Sequence, residues 1–447
     1  MSFPYGNNIR LYIDGESHGE RLTMTLEGFP AGLRIDEEHL WAFMKRRAPG
    51  QNEWSTGRKE ADKPVFLSGV ENGATTGGRI TAVIYNTNQH SGDYGDAGII
   101  PRPSHADFPA IVKYGSSVDL RGGGHFSGRL TALTCVAGAL AIQYLREKGI
   151  EIKAHIYSVG GVKDKPFSAD CNEGIADGFP VINETAGEEM KTVIKKAKED
   201  LDSVGGVIEC AVTGLPVGLG EHLFAGAEGR ISSAVFSVPG VKAIEFGNGF
   251  RCAELLGSEN NDSFYFDGDT VKTYTNNCGG ILGGMTNGMP LVFRCALKPT
   301  PSIGKEQDTV NLETKENIKY TVKGRHDPCI VPRAVPVIES SAALAVLDML
   351  LDGKSVSLEA SREKIDAIDK EIVRLFCERM AVSEDIARYK KENGLPVYVP
   401  ERENELLGRV KALSKDKFSG YTEELYKEIL ALSKKYQSAE TDEESVG

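Results

Sequence analysis

"PRPSHADFPAIVKYGSSVDLRGGGHFSGR" runs from Pro101 to Arg129. It gathers three arginines, one lysine, two histidines and three consecutive glycines in a chain whose formal net charge is −12. Glycine permits positive φ and close approach, so "LRGGGHFSGR" can turn several backbone N–H groups toward one anion. Arginine adds bidentate contact to phosphate or carboxylate. The stretch reads either as the wall of a site for a multiply charged anion or as a tight surface turn.

The rest of the chain limits what that anion is. With 447 residues, two or three domains are expected. An acidic balance argues against nucleic acid as the partner, because phosphate backbones need a basic surface. A small anionic substrate needs only a local basic cavity. No apolar leader opens the sequence and no run is long enough to span a bilayer, so no membrane partner is expected. The eight cysteines show no CxxC spacing, which leaves no metal site and no disulfide framework in view. Reduced thiols in the cytoplasm are the simplest expectation.

Two textures follow one another. Up to about Leu351 the chain is glycine-rich, with β-type runs "NIRLYI", "RITAVIY", "VIECAVTGL" and "MPLVFRCAL" and helical runs "LTALTCVAGALAIQYLREKG" and "EEMKTVIKKAKEDL". The 90s to 120s carry no clear period and are expected to be loop. From Leu358 glycine and proline nearly vanish. Ile365, Ile368, Ile372, Leu375, Val382, Ile386 and Tyr389 recur every three or four residues, as on a buried helix face. Two shorter helices are expected over about 402–414 and 422–437. The division is therefore 1–353, a linker 354–357, a helical domain 358–439 and an acidic tail 440–447.

Candidate chemistry clusters in the first texture. His18 in "GESHG" and His105 in "RPSHAD" suit proton transfer near neutral pH. "KGRHDPC" sets Arg325 beside Asp327. "LKPTPSI" offers Lys298, Thr300 and Ser302 as a phosphate grip without P-loop spacing.

"GESHG", "RRAPG", "PSHADF…KYG…DLRGGG", "GGILGG", "ALKPTPSI" and "GRHDPC" together resemble the motifs of chorismate synthase, in the same order, over about residues 5–351. The resemblance implies an α+β fold, a tetrameric β-α-β sandwich. It implies loss of phosphate and a proton from 5-enolpyruvylshikimate 3-phosphate, giving chorismate, with reduced FMN required despite no net redox change. Arg46, Arg47, Arg102, Arg129 and Arg325 would meet the substrate's phosphate and two carboxylates, with Ser17 and Ser127 close by. His18 would protonate the departing phosphate, His105 would adjust the protonation of the flavin, and Asp327 would help it accept the substrate proton. His125, Phe126, Ser127, Gly283, Lys298, Pro299, Thr300, Pro301, Ser302 and Arg325 would contact FMN. Many members have Arg-Ser where His125-Phe126 stand, and a further arginine near Glu53 linked to a nicotinamide cofactor. NADPH would thus act only indirectly, if at all, and an external flavin reductase would supply reduced FMN.

Along the second texture, Arg379 lies seven after Ile372 and seven before Ile386, where the stripe expects an aliphatic residue. A charge on a buried face is costly unless paired. Lys390 lies about 16 Å further along the same face, and Arg362 about 25 Å back and turned by about 100°. Leu358–Gln437 resembles the all-helical chorismate mutase domain through "SREKIDAIDKEIVRLFCER", "YKKENGLPV" and "ERENELL". The match implies an interlocked dimer in which one arginine comes from the partner. It places active-site positions at Arg362, Arg379, Lys390, Arg402, Glu403, Ser433 and Gln437, with Lys390 and Gln437 facing the ether oxygen of chorismate as it rearranges to prephenate. Val399 stands where an aspartate often holds the substrate hydroxyl. The alternative is a non-catalytic, mutase-like regulatory or dimerisation domain.

Overall fold

Two helices are apolar nearly all round, Thr131–Arg146 and Val331–Leu350, and almost every residue in them is buried. A helix without a polar face must be covered on all sides. Here the cover is two antiparallel sheets. Thr131–Arg146 packs on the strands Arg10–Gly15 and Arg21–Glu27, and Val331–Leu350 packs on Glu151–Val159 and Gly206–Thr213. The helices also pack on each other. The computed structural model describes residues 4–50, 54, 62–86, 98–115, 118–322, 326–352, 358–414 and 416–442, without side chains at 358–364, 367, 416 and 439–442.

The first sheet has four strands in the order Arg10–Gly15, Arg21–Glu27, Ile80–Tyr85, Val65–Ser68. Leu22, Met24 and Leu26 alternate inward and pair with Ile84, Ala82 and Ile80. The second has five, in the order Val241–Phe246, Leu291–Leu297, Gly206–Thr213, Glu151–Val159, Val162–Lys163. Its inward residues include Phe293, Cys210 and Ala154. The result is a β-α-β sandwich. The helix beginning at Gly128 is long and apolar enough to cross a membrane by composition, but most of it lies buried in this core.

One expected loop is partly helix. Asp107–Tyr114 forms two turns, with Asp107 in the first turn and Pro109 tolerated at its third position. Ala110 packs against Leu120, Ile111 and Val118 in a small separate cluster, which is what holds so short a helix.

Contacts divide the chain into units 1–353 and 354–447. The second unit has helices Leu358–Glu392, Pro400–Leu413 and Ser419–Asp442, the last running three residues into the expected tail. The apolar stripe from Ile365 to Tyr389 is not a buried face. All seven residues are exposed in the single chain. The side turned to Ser419–Asp442 instead carries the buried Ser383 and Ala387.

The helix pair permits a direct stability test. A Cβ on Gly138 would stand 2.2 Å from Ser340 Cβ and 2.5 Å from its Cα. Gly-to-Ala in a helix is otherwise favourable. Gly138→Ala should instead lower stability by about 1–3 kcal/mol in thermal unfolding, and Ser340→Gly should recover part of the loss.

Candidate active site

Both core helices begin at one cavity. Gly128, Arg129 and Thr131 at the start of one, and Ile330, Arg333 and Ala334 at the start of the other, line a space of about 410 Å³. The first N–H groups of a helix lack internal partners, and its dipole favours negative charge there.

The glycine run closes one wall. Gly122, Gly123 and Gly124 have φ of 59°, 92° and 50°, and Gly122 and Gly123 line the cavity. A Cβ on Gly124 would strike the Asp119 carbonyl at 1.8 Å. One on Gly122 would lie 2.2 Å from the His18 ring and 3.0 Å from Ser17 Oγ. His18 and Ser17 therefore sit directly behind that glycine, both buried. Ser17 Oγ has no hydrogen-bond partner among the described residues.

Among the described residues five cations line the cavity: Arg47, Arg102, Arg129, Lys298 and Arg333. Each arginine lies against a carboxylate. Arg102 donates from Nε and Nη2 to Asp107, both at 2.7 Å, and its backbone N–H reaches the same group at 2.9 Å. Arg333 Nη1 donates to Asp327 Oδ2 at 2.6 Å. Arg47 and Arg129 share Asp62, Arg47 Nη1 at 2.8 Å from Oδ2 and Arg129 Nη1 on Oδ1. Burial pushes the Asp62 carboxyl up, but Arg47 and Arg129 outweigh it and hold the group below its usual range. Lys298, just past the strand Leu291–Leu297, donates to the Ser104 carbonyl at 2.7 Å. Among the described residues only Asp107 and Asp327 oppose these cations from the lining itself, so the described lining is net positive.

His105 lines the same wall. Its Nδ1 lies 3.0 Å from the Pro103 carbonyl and its Nε2 2.7 Å from Ser302 Oγ. The carbonyl can only accept, so Nδ1 carries the proton and Nε2 accepts from the hydroxyl. Burial, then the Arg102 charge, lowers its pKa to about 4.

Not every expected residue reaches the cavity: Ser17 and His18 lie behind the Gly122 wall and are not part of its lining. Phe126, Ser127 and 298–302 line it. His125 does not: it is exposed, with Nδ1 2.6 Å from the Gly15 carbonyl. Arg46 is held by Glu339 in two hydrogen bonds of 2.7 and 2.9 Å and lies outside the lining. Gly283 belongs to a hairpin turn elsewhere, and Arg325 lies outside the described residues. Sequence reasoning passed over Asp62, Asp107 and Arg333. Asp107 was findable five residues after Arg102, whereas Asp62 follows a stretch with no motif.

In the second unit a polar file runs through the buried faces of two helices. Gln437 Nε2 donates to Ser433 Oγ at 3.1 Å, Ser433 to Ser383 Oγ at 3.0 Å, and Ser383 to the Arg379 carbonyl at 3.0 Å. Arg379 Nη1 is buried without a hydrogen-bond partner among the described residues. Lys390 donates to the Val397 carbonyl at 2.7 Å. Glu403 pairs with Lys434 at 3.0 Å, and the exposed Arg402 pairs with Glu405 at 2.7 Å. The Arg362 side chain lies outside the described residues.

Family models match the two units separately, chorismate synthase over residues 9–351 and chorismate mutase type II over 361–438. A chorismate synthase of Lancefieldella parvula is 45% identical over 368 residues, covering 78% of this chain and 96% of that one. One of Korarchaeum cryptofilum is 43% identical over 349 residues, covering 78% and 97%. A crystal structure of chorismate synthase superposes with a TM-score of 0.60 at 29% identity, covering 82% of this chain and 98% of that one.

His105 gives a pH test. Its folded pKa lies below the ordinary histidine value, so the fold favours the neutral ring. That contribution is complete above about pH 6.5 and is lost as pH falls toward about 4. Histidine NMR should find His105 titrating near 4, and Arg102→Ala should raise it. Titration at or above 6.5 in the intact chain contradicts this reading.

Proposed function

This chain belongs to the chorismate synthase family and carries a chorismate mutase type II domain after it, and from that premise we propose how its residues run two consecutive steps. The first is elimination of phosphate from 5-enolpyruvylshikimate 3-phosphate, giving chorismate. The second is rearrangement of chorismate to prephenate. The observation that carries the first is a net-positive cavity at two helix starts, suited to a substrate with one phosphate and two carboxylates.

Arg47, Arg102 and Arg129 bind the substrate's anionic groups, with Arg325 added by family likeness. His18, behind Gly122, protonates the departing phosphate oxygen. His105 stays neutral at working pH and accepts a proton at Nε2. Asp327, held by Arg333, relays the proton that leaves the substrate ring. The lining also suits FMN: Thr300 Oγ1 is buried with no partner among the described residues, Lys298 and the arginines supply charge, and Phe126, Val238, Pro301 and Ile330 supply apolar surface. Ser127 and 298–302 would hold it, with His125 at the rim. The chemistry that reduced FMN would supply there is electron density for C–O cleavage and a site to take up the hydrogen. An external reductase supplies it, and NADPH acts only through that reductase.

For the second step the supporting observation is Arg379, whose buried Nη1 has no partner among the described residues. A carboxylate of chorismate would satisfy it. The Ser383–Ser433–Gln437 file fixes the Gln437 amide so that its second Nε2 hydrogen can meet the ether oxygen, beside Lys390. No nucleophile is needed; catalysis is orientation plus charge stabilisation. Arg402, Glu403 and Ser433 complete the site, and Arg362 reaches it from a second chain. The exposed stripe Ile365–Tyr389 supports that dimer, and exposed Phe224, Phe250 and Phe266 support a homotetramer through the first unit. All eight cysteines are free, which supports a reducing, cytoplasmic setting.

His18→Ala and His105→Ala should each cut phosphate release by about 10²-fold or more and leave prephenate formation unchanged. Wild-type release from either variant removes that residue from the mechanism. Arg362→Ala and Arg379→Ala should each nearly abolish mutase activity as homodimers, at about 2–5 kcal/mol per lost clamp. Co-expressed as mixed dimers, they should regain up to half of wild-type activity, since one site then keeps both arginines. Proven mixing without recovery rejects the shared site.

A further inference from the structure

We propose that Asp62 is a positioning residue for the elimination, one carboxylate that sets where two substrate arginines stand. The inference rests on the elimination reading above. Arg47 comes from the last turn of Glu37–Arg47 and Arg129 from the turn before Thr131–Arg146. Nothing in either element requires two positive charges to lie side by side. Asp62 brings them together, each carboxylate oxygen taking one guanidinium. It is 3% exposed.

The remaining contacts fix the other edges of the pair. Arg47 Nη2 donates to the Gly128 carbonyl at 2.8 Å and Nε to Thr131 Oγ1 at 3.3 Å. Arg129 donates from Nε and Nη2 to Asn86 Oδ1 at 3.2 and 3.1 Å. The acceptors just named are neutral, and among the described residues Asp62 is the carboxylate that takes both guanidinium groups. Its backbone has φ of 49°, a left-handed conformation that a side chain other than glycine's adopts at a cost. Such strain persists where surrounding contacts over-determine it, and the two ion pairs do so here. Asp62 does not line the cavity, whereas both arginines do. It acts through them and touches no substrate.

This placement separates two effects that a purely structural carboxylate would not separate. Removing the charge leaves the cavity more positive, so anions bind no worse. Yet the arginines, no longer bridged by one carboxylate, move apart and lose register with the phosphate and carboxylates.

The test uses the full chain, anaerobically, with photoreduced FMN, following phosphate release from 5-enolpyruvylshikimate 3-phosphate. Asp62→Asn should lower kcat by about 10²-fold, the scale of an ångström-sized misplacement. KM should not rise, and inorganic phosphate should inhibit at least as well as in wild type. Asp62→Glu keeps the charge but shifts it, and should lose about tenfold in kcat with KM unchanged. Wild-type kcat in a folded Asn variant overturns the proposal, as does a tenfold rise in KM with kcat intact. If the Asn variant fails to fold, the Glu variant decides by the same kcat criterion. If neither folds, Asp62 serves the fold and the assignment falls. A wild-type chain that releases no phosphate removes the elimination reading instead, whatever the variants do.

Discussion

Like charges repel, and a site for a substrate with one phosphate and two carboxylates must crowd them. The first unit meets this with a carboxylate against each arginine: Asp107 for Arg102 and Asp327 for Arg333 within the lining, and Asp62 outside it for the pair Arg47 and Arg129. Each guanidinium is thereby oriented before any ligand arrives, which is the arrangement electrostatic catalysis requires. A net charge of −12 and a positive cavity are thus compatible. Some of the acid in the chain is what makes the cavity rigid.

The sandwich supplies the other half of that preorganisation. Two helices with no polar face must be covered on all sides; the sheets and their packing on each other provide that cover, and both start at the same place. The positive ends of their dipoles add to the field of the arginines without adding mobile charge. Arg46 shows how position along an element divides the roles. It precedes Arg47 by one residue, points elsewhere and pairs with Glu339 on a core helix.

Much of this was legible in the residues. The β-type run "RITAVIY" and the helical run "LTALTCVAGALAIQYL" match the strand and core helix found there. The glycine run and "ALKPTPSI" do line one cavity. Three things were not legible, for physical reasons. The Asp107–Tyr114 helix is too short to show a period, and it is held by tertiary contacts with Leu120 and Val118. The stripe from Ile365 to Tyr389 shows that a helix has an apolar face but not what covers it. Asp62 shares no spacing with the arginines it joins, because the link is made in space by a residue 15 positions from one and 67 from the other.

The pairing of the two core helices also sets a problem of timing. Thr131–Arg146 leaves the ribosome well before Val331–Leu350 exists, with roughly 185 residues still to be made. At about 5–20 residues per second that is roughly 10–40 s of synthesis. Throughout that interval an apolar segment of membrane-spanning length stands without its main partner. The sheet strands Arg10–Gly15 and Arg21–Glu27 can shield one side at once, but the side destined for the later helix stays bare. The first unit can therefore close its core only after Val331–Leu350 has been made, so its folding waits on nearly the last residues of that unit.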